Sequence, residues 1–183
     1  MWLLTSTTGE YRKMLKRLSV VLGVTVAAAA FAANSVTGAV GKGVAVNGDG
    51  KLAAFDFEVS RYNVGTTAPK YFGRFNFTTR TSPANEPPVY AGLLIGLLRQ
   101  LNKQGTAESF GGSGWLTLQS AAGARRFEGT VAVVVNDRRD GVTHVGEPDL
   151  ITVYFTPLHD GPAFNWSGKV RDGDLKVFER VQQ

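Results

Sequence analysis

The stretch Leu52–Tyr62 reads LAAFDFEVSRY and decides the fold of the chain. Its apolar residues Phe55, Phe57 and Val59 alternate strictly with polar or charged residues. A period of two places successive side chains on opposite faces of a β-strand. The stretch therefore predicts a half-buried strand with an apolar inner face and a charged outer face.

The same period recurs along the rest of the chain, in segments rich in β-branched and aromatic residues. A first strand is expected near Gly43–Val46. The inward sets of the later strands are predicted to be Tyr71, Phe75 and Phe77; Phe127, Val131, Val133 and Val135; Ile151, Val153 and Phe155; Phe164, Trp166 and Val170; and Leu175, Val177 and Val181. Short strands separated by turns predict an all-β fold, an antiparallel β-sandwich or a closed β-barrel of about eight strands.

Turn residues mark the connections between these strands. Asn47–Gly50 is predicted to join the first two strands. Asp172-Gly173 is predicted to form a type I′ hairpin turn, because both central positions of that turn need positive φ. Thr78–Val89 is predicted to be a long loop, and the glycines of Gly111–Gly114 predict a bulged or sharply bent strand.

The segment from residue 89 to residue 101 fits two kinds of structure. Its leucines recur near the helical spacing, and the two prolines before it and Gly105 after it suit the ends of a short helix. Gly92 and Gly96 argue against a helix, because each costs about 1 kcal/mol in a helix interior. We expect a strand here, with one short helix near 89–101 as the alternative.

The N-terminal part has the pattern of an export signal. Basic residues precede the apolar run Ser19–Phe31, and an A-x-A site ends at Ala32. These are the parts of a secretory signal peptide, and the run is shorter than the ~20 apolar residues of a membrane-spanning helix. We expect residues 1–32 to be removed and residues 33–183 to form a single β-rich domain. The mature chain is then secreted or periplasmic without a membrane span, and an uncleaved anchor is the alternative.

Removal of this segment changes the charge of the chain. The full sequence carries 20 Lys and Arg against 15 Asp and Glu, a formal net charge of +5. Residues 1–32 hold four of the basic residues and one of the acidic ones, so the remainder carries 16 − 14 = +2. A mixed charge without a basic block argues against nucleic acid as a partner. The sequence contains no cysteine, which excludes thiol catalysis and cysteine-ligated metal centres.

The loop Asn136–Leu150 is the densest in side chains that bind metals. Asp137, Asp140, Glu147 and Asp149 offer the oxygen ligands that calcium prefers. Two arginines lie among these acids, and no known ligand spacing is present. We expect a charged, solvated connection here, with a calcium site as the less favoured alternative and no other cofactor.

Aromatic side chains supply the candidate ligand-binding residues. Trp115, Tyr90 and Tyr154 could stack on sugar rings if they are exposed together, whereas Trp166 fits the inward set of its strand. A glycan or another cell-surface component is the expected kind of partner.

Catalytic patterns are weak in this sequence. His144 and His159 are the only histidines, and GGSGW at Gly111–Trp115 lacks the G-x-S-x-G spacing of a nucleophile elbow. A two-carboxylate glycosidase built on Asp56 and Glu58 is one reading, but such acids also belong to the solvated face of a sheet.

Two motifs carry a resemblance to a known group. Val133–Asp137 is followed by Gly146–Asp149, and the chain closes with Gly168–Val177. In these motifs the chain resembles a loose group of small secreted bacterial all-β domains of unassigned function, over about residues 43–181. The resemblance implies a secreted β-domain and no catalytic residues. Lipocalins share the size and the barrel, but their G-x-W signature is missing.

The expected function is that of an exported, non-catalytic binding or structural β-domain. The alternatives are a small-molecule-binding barrel, either a carrier or a barrel enzyme, and a carbohydrate-binding module. A sealed interior packed by Phe55, Phe57, Val133 and Phe155 favours the first function. An open cavity lined by charged residues or tyrosine favours the carrier or enzyme.

Overall fold

The chain forms a closed barrel of eight antiparallel strands. A computed structural model describes residues 34–65, 67–139 and 145–181. The strands are β1 (Asn34–Val46), β2 (Leu52–Val64), β3 (Lys70–Arg80), β4 (Tyr90–Gln104), β5 (Ala107–Ser120), β6 (Gly123–Asn136), β7 (Leu150–Pro157) and β8 (Phe164–Val181). Each strand pairs with the next, and β8 pairs with β1. The predicted all-β fold is confirmed, and of its two forms the barrel is the one observed. No helix among these residues is long and apolar enough to cross a membrane.

The loops define two ends of the barrel. We call the end with the β4–β5 turn and the β6–β7 connection the Glu108 end. The opposite end, with the β1–β2 turn and the β3–β4 loop, is the Tyr90 end. The predicted Asn47–Gly50 turn and the predicted long loop, here residues 81–89, both lie at the Tyr90 end.

Aromatic side chains fill the interior. Phe55, Phe57, Val133 and Phe155 are 3%, 1%, 0% and 2% exposed, as a sealed interior requires. The ring of Phe57 lies 5.4 Å from that of Phe110 between centroids, within the usual range for aromatic pairs. The predicted inward sets are buried or half-buried with one correction. Val181 is exposed, because β8 continues to the edge of the barrel.

Residues 90–104 form strand β4, so the expected strand is confirmed and the helix alternative is wrong. The register against β5 shifts between Ile95 and Leu97 and again between Leu98 and Gln100. Each shift leaves one extra residue in β4, which is a β-bulge. The bulges explain the helix-like pattern, because Ile95, Leu98 and Leu101 are all buried although they lie three residues apart.

The bulges lie in β4, whereas the sequence predicted a bulge in the neighbouring strand β5. Strand β5 pairs with β6 without a register shift through Gly111–Gly114, so the expected bulge in β5 is wrong. These glycines instead let the bulged neighbour approach closely. A Cβ on Gly112 or Gly114 would collide with the β4 carbonyl oxygens of Leu97 or Leu94.

Asp172-Gly173 does not form a hairpin turn, contrary to the prediction. Residues 164–181 are one strand whose register against β1 shifts between Val44 and Ala45, so that Arg171 is an extra residue. Gly173 has a φ of 96°, and a Cβ there would collide with the Lys42 carbonyl oxygen. A glycine with positive φ therefore lies two residues after the bulged Arg171, at a position where a type I′ turn would also need one.

Two parts of the wall are only partly paired. Strand β3 pairs with β4 only from Phe75 to Arg80, and no described strand pairs with the β3 side of β4 beyond Ile95. The side chain of Arg61 reaches across this gap and donates from Nη1 to the Leu101 carbonyl oxygen at 3.0 Å. Strand β7 is short, so β8 lacks a strand neighbour on that side toward the Glu108 end.

Candidate functional site

Two of the predicted calcium ligands hold the β6–β7 connection against the barrel. Asp149 is 0% exposed, and its Oδ1 accepts hydrogen bonds from the backbone N–H groups of Arg138 and Arg139, each at 2.8 Å. Asp137 Oδ2 accepts a hydrogen bond from the Val177 N–H of β8 at 3.0 Å. The carboxylate of Asp137 thus takes the place of a strand carbonyl beside the free edge of β8. The expectation of a solvated connection is wrong for Asp149, which is fully buried, while Asp137 is half-buried.

Glu147 is the other acid of the connection among the described residues. Glu147 forms an exposed ion pair with Arg138, at 3.0 Å between Oε2 and Nη1. Asp140 and His144 lie outside the described residues. Within the described ranges, no three His, Asp or Glu side chains come together in a way that could hold a metal ion. Burial raises the pKa of Asp137, and the Val177 hydrogen bond lowers it in part.

The three predicted aromatic ligand residues lie apart on the outer wall. Trp115 on β5 is half-buried, and the Arg126 guanidinium covers its ring at 4.2 Å from the centroid. Tyr154 lies on β7 and Tyr90 begins β4, and both are exposed. Trp115 is paired with Leu94, and none of the three is a direct cross-strand neighbour of another. The structure does not bring them together as a platform.

Tyr90 lines a pocket of about 550 Å³ at its own end of the barrel, where some of the polar groups are hydrogen-bonded within the protein. Lys51 Nζ donates to the Thr81 carbonyl oxygen at 3.2 Å. Arg80 Nη2 donates to backbone carbonyl oxygens of the β3–β4 loop, at 2.7 Å in the shortest case. Thr79 Oγ1 donates to the Leu52 carbonyl oxygen at 2.8 Å. The contacts of Lys51 and Arg80 hold the β3–β4 loop in place, and these two cations are thereby engaged within the protein.

A groove on the outer wall runs across β8, β1 and β2. It has a volume of about 460 Å³, and we call it the wall groove; its lining residues are Val36, Val40, Glu58, Ser60, Tyr62, Lys176, Phe178 and Arg180. The groove combines an apolar floor, two aromatic rings and side chains that donate or accept hydrogen bonds.

The backbone of β1 makes room for this groove. Gly38 is the cross-strand partner of both Ser60 and Phe178. A Cβ at Gly38 would lie 2.7 Å from Cζ of Phe178, so the missing side chain lets the phenylalanine ring lie across the strand. On the other side, Tyr62 packs edge to face against Phe72, with 5.5 Å between the ring centroids.

The aromatic residues of the groove were missed by the sequence analysis, although a signal was present. Tyr62 belongs to the outward set of the strand that contains Phe55 and Phe57, and it is 39% exposed. Phe72 is 57% exposed, in phase with the outward Arg74. Large aromatic residues in the outward phase of neighbouring strands are the pattern that identifies such a surface.

A second pocket, at the Glu108 end, contains charged residues that point inward. It has a volume of about 440 Å³, and the outer faces of β4, β5 and β6 contribute to its lining as well as the inward charged residues; the lining residues are Arg61, Asn102, Lys103, Gln104, Ala107, Glu108, Ser109 and Val134. We call it the end pocket. Glu108 is 1% exposed, and burial raises its pKa to about 7 against the lowering effect of Arg61 and Lys103. Neither carboxylate oxygen has a hydrogen-bond partner among the described residues.

Comparison with known proteins assigns no function to the groove or to the pocket. No family model, curated protein or solved structure matches the chain. The resemblance to small secreted bacterial β-domains therefore stays a prediction, and the functional argument depends on the groove and the pocket.

Proposed function

We propose that the chain is an exported, non-catalytic β-barrel domain that binds a saccharide in the wall groove. The observation that carries the proposal is the groove itself, where Tyr62 and Phe178 flank an apolar floor beside hydrogen-bonding side chains. Sugar rings present C–H faces that pack on aromatic rings, and their hydroxyl groups bond to charged and polar side chains. The groove offers both kinds of contact.

The polar side chains of the groove suit hydroxyl groups. Glu58 and Ser60 follow each other on the outer face of β2, and the carboxylate of Glu58 accepts hydrogen bonds. Lys176 and Arg180 supply donors from β8 on the opposite side of the groove. A ligand that crosses the groove can therefore meet an acceptor on one side and donors on the other.

The packed interior supports binding outside the barrel over transport inside it. A carrier needs a cavity that encloses most of its ligand. Here the ring of Phe57 lies beside that of its cross-strand neighbour Phe75, with centroids 6.2 Å apart, and reaches the ring of Phe110 on β5, with centroids 5.4 Å apart. These aromatic rings occupy the space that a carried ligand would need.

The acids considered for a glycosidase support a non-catalytic role. Asp56 lies on the outer wall, where it forms exposed ion pairs with Lys42 at 3.6 Å and Arg74 at 3.5 Å. Glu58 lies two residues further along the same outer face and is exposed. A general acid needs a raised pKa, which normally comes from a shielded site, and this pair lies in the open.

Export is the second part of the proposal and has its own test. If residues 1–32 are a signal peptide, the protein recovered from the periplasm or medium of a bacterial expression host begins at Ala33. N-terminal sequencing of the exported protein measures this directly. Recovery of the chain with an intact N-terminus in the membrane fraction would support the uncleaved anchor instead.

The binding proposal is tested on a glycan array with three purified proteins: the unmodified chain, Tyr62→Ala and Tyr154→Ala. The two tyrosines are similarly exposed but lie on different parts of the wall, so Tyr154→Ala is a matched control. We expect binding to a defined set of glycans that falls at least about tenfold in Tyr62→Ala, because an aromatic stacking contact is lost. Tyr154→Ala should bind like the unmodified chain. Absence of glycan binding, or equal loss in both variants, would contradict the proposal.

A further inference from the structure

Inward-facing polar residues are grouped at the Glu108 end of the barrel. Thr37 and Arg61 are cross-strand partners on β1 and β2, and Lys103 and Glu108 are cross-strand partners on β4 and β5. The next inward layer consists of Leu101 and Phe110, which are buried and apolar. The polar groups therefore border the apolar core of the barrel.

Several of these polar atoms are buried without a partner. Both carboxylate oxygens of Glu108, the Arg61 Nε–H and the Thr37 hydroxyl have no hydrogen bond to a described residue. Buried polar groups in folded proteins are almost always hydrogen-bonded to protein, water or a ligand. Arg61 and Glu108 both line the end pocket, but their unpartnered atoms are closed to solvent in this structure, so a partner in the pocket reaches them only when a neighbouring side chain moves.

The charges of the group define the ligand. Arg61 and Lys103 are cationic and Glu108 is acidic, and Glu179 on β8 forms an ion pair with Lys103, so the formal charges of the four side chains cancel when both acids are ionised. Burial raises the pKa of Glu108 to about 7, so the carboxyl group occurs in both protonation states near neutral pH. A ligand hydroxyl group can donate to the ionised form, accept from the neutral form, and accept from the Arg61 Nε–H.

We infer that the end pocket is a second binding site, separate from the wall groove, for a small neutral polyhydroxy compound such as a monosaccharide. A cationic ligand would meet Arg61 and Lys103, and an anionic ligand would meet the ionised carboxylate of Glu108. A neutral polyol avoids both repulsions and satisfies the open donors and acceptors.

Access to Glu108 depends on the Lys103 side chain. Lys103 crosses the mouth of the barrel to Glu179 on β8, with 3.2 Å between Nζ and Oε2. The Lys103 side chain is 24% exposed and that of Glu179 is 50% exposed. An ion pair this open to solvent is a weak contact, and the lysine stem is flexible. The side chain can swing aside when a ligand enters.

The test uses sugar rings of one size and different charge. Carboxyl ¹³C and guanidinium ¹⁵N resonances of Glu108 and Arg61 are followed by NMR in the full protein at pH 7. D-glucose, D-galactose and D-mannose serve as neutral probes, and D-glucosamine and D-glucuronate serve as the cationic and anionic ones. The variants are Glu108→Gln, Glu128→Gln as an exposed glutamate control, and Tyr62→Ala to remove the wall groove.

We expect at least one neutral hexose to shift the Glu108 and Arg61 resonances in a saturable way. Its affinity should exceed that of each charged sugar at least about tenfold and fall about tenfold or more in Glu108→Gln, because charge-assisted hydrogen bonds are lost. Glu128→Gln and Tyr62→Ala should leave the titration unchanged.

Three results would overturn the inference, and each is distinct from a failure of the wall groove. Tighter binding of a charged sugar at Glu108 would show that the ligand class is wrong. A shift that Glu108→Gln leaves intact would place the site elsewhere. Absence of a saturable shift with all five sugars would mean that water alone fills the pocket, whatever the glycan array shows for Tyr62.

Discussion

At the scale of single residues, Glu108 is a buried acid without a hydrogen-bond partner for its carboxylate among the described residues. Its carboxylate lies at the end of β5 beside Arg61 and Lys103, yet it forms no ion pair with either residue. Burial of the charge raises the pKa of Glu108 by more than the two cations lower it, so the net effect is a raised pKa. The residue should therefore link protein stability to pH.

We predict that stability decreases as the pH rises from about 4.5 to 8. The pKa of Glu108 is about 7 in the folded protein against 4.5 ordinarily, so the folded state binds the proton more tightly. The stabilisation is complete below pH 4.5 and is lost as the pH rises through 7, by at most about 3 kcal/mol. Urea unfolding at several pH values measures this slope.

Glu108→Gln should remove most of this slope and unfold at a higher urea concentration than the unmodified chain at pH 8. Glu128→Gln replaces an exposed glutamate of β6 and should keep the original pH profile. If both variants kept the slope, the titrating group would be one other than Glu108.

Asp149 acts through the backbone of the β6–β7 connection. Asp149→Ala removes the acceptor of two N–H groups at a fully buried position, so we expect a loss of about 2–4 kcal/mol in the free energy of unfolding. Glu147→Gln removes only an exposed ion pair and should change stability by less than about 0.5 kcal/mol. A calcium-dependent rise in Tm that disappears in Asp149→Ala would contradict this anchoring role and favour the metal site.

At the scale of strands, the bulges of β4 shape the wall. Two extra residues bend the strand where its pairing with β3 ends. Trp115 of β5 lies over Gly96, so the indole ring covers a position where the strand has no side chain. The bend opens the gap that Arg61 crosses, and it thereby helps to form the end pocket.

Gly96→Ala tests the contact between β4 and β5. A Cβ at Gly96 would collide with the indole ring of Trp115, so we expect a destabilisation of about 1–3 kcal/mol. At Gly92 of the same strand a Cβ meets only the Thr117 carbonyl oxygen, at 3.9 Å, so Gly92→Ala should be tolerated. In a Trp115→Ala background, Gly96→Ala should reduce the free energy of unfolding by less than it does in the unmodified chain. Additive costs in this cycle would contradict the contact.

The strands show what alternation can predict and where it fails. The inward residues of β2, β6 and β7 follow the period of two, because those strands are regular on the inside. In β4 each bulge shifts the phase by one residue, which converts a strand pattern into one that resembles a helix. In β8, Gly173 has the positive φ that a turn would also need, and only its pairing with β1 shows that the strand continues.

The candidate sites were less predictable than the strands for a related reason. Trp115, Tyr90 and Tyr154 were chosen by residue type. Which side chains lie next to each other on the outer face depends instead on the register between strands. Tyr62 on β2 and Phe178 on β8 lie on either side of β1, because closure of the barrel pairs β1 with both strands. Local sequence patterns contain no information on which distant strand closes the sheet.

At the scale of the whole molecule, the packed interior divides the barrel into a structural centre and functional surfaces. The ring of Phe57 packs against the rings of Phe55, Phe75 and Phe110, and Phe57 is 1% exposed. Phe57→Ala should therefore cost about 3–5 kcal/mol of unfolding free energy. Phe72→Ala removes a ring that is 57% exposed and should cost less than about 1 kcal/mol. Similar costs for the two variants in urea unfolding would contradict a sealed core.

The central claim is that the barrel is closed to water except at its surfaces, with one buried acid left unpaired at the Glu108 end. The most direct measurement is an NMR titration of the Glu108 carboxyl ¹³C resonance in the ligand-free protein. A sealed barrel predicts a midpoint near pH 7. A midpoint near 4.5 would mean that the carboxylate is solvated as fully as an acid on the open surface, and it would contradict the claim.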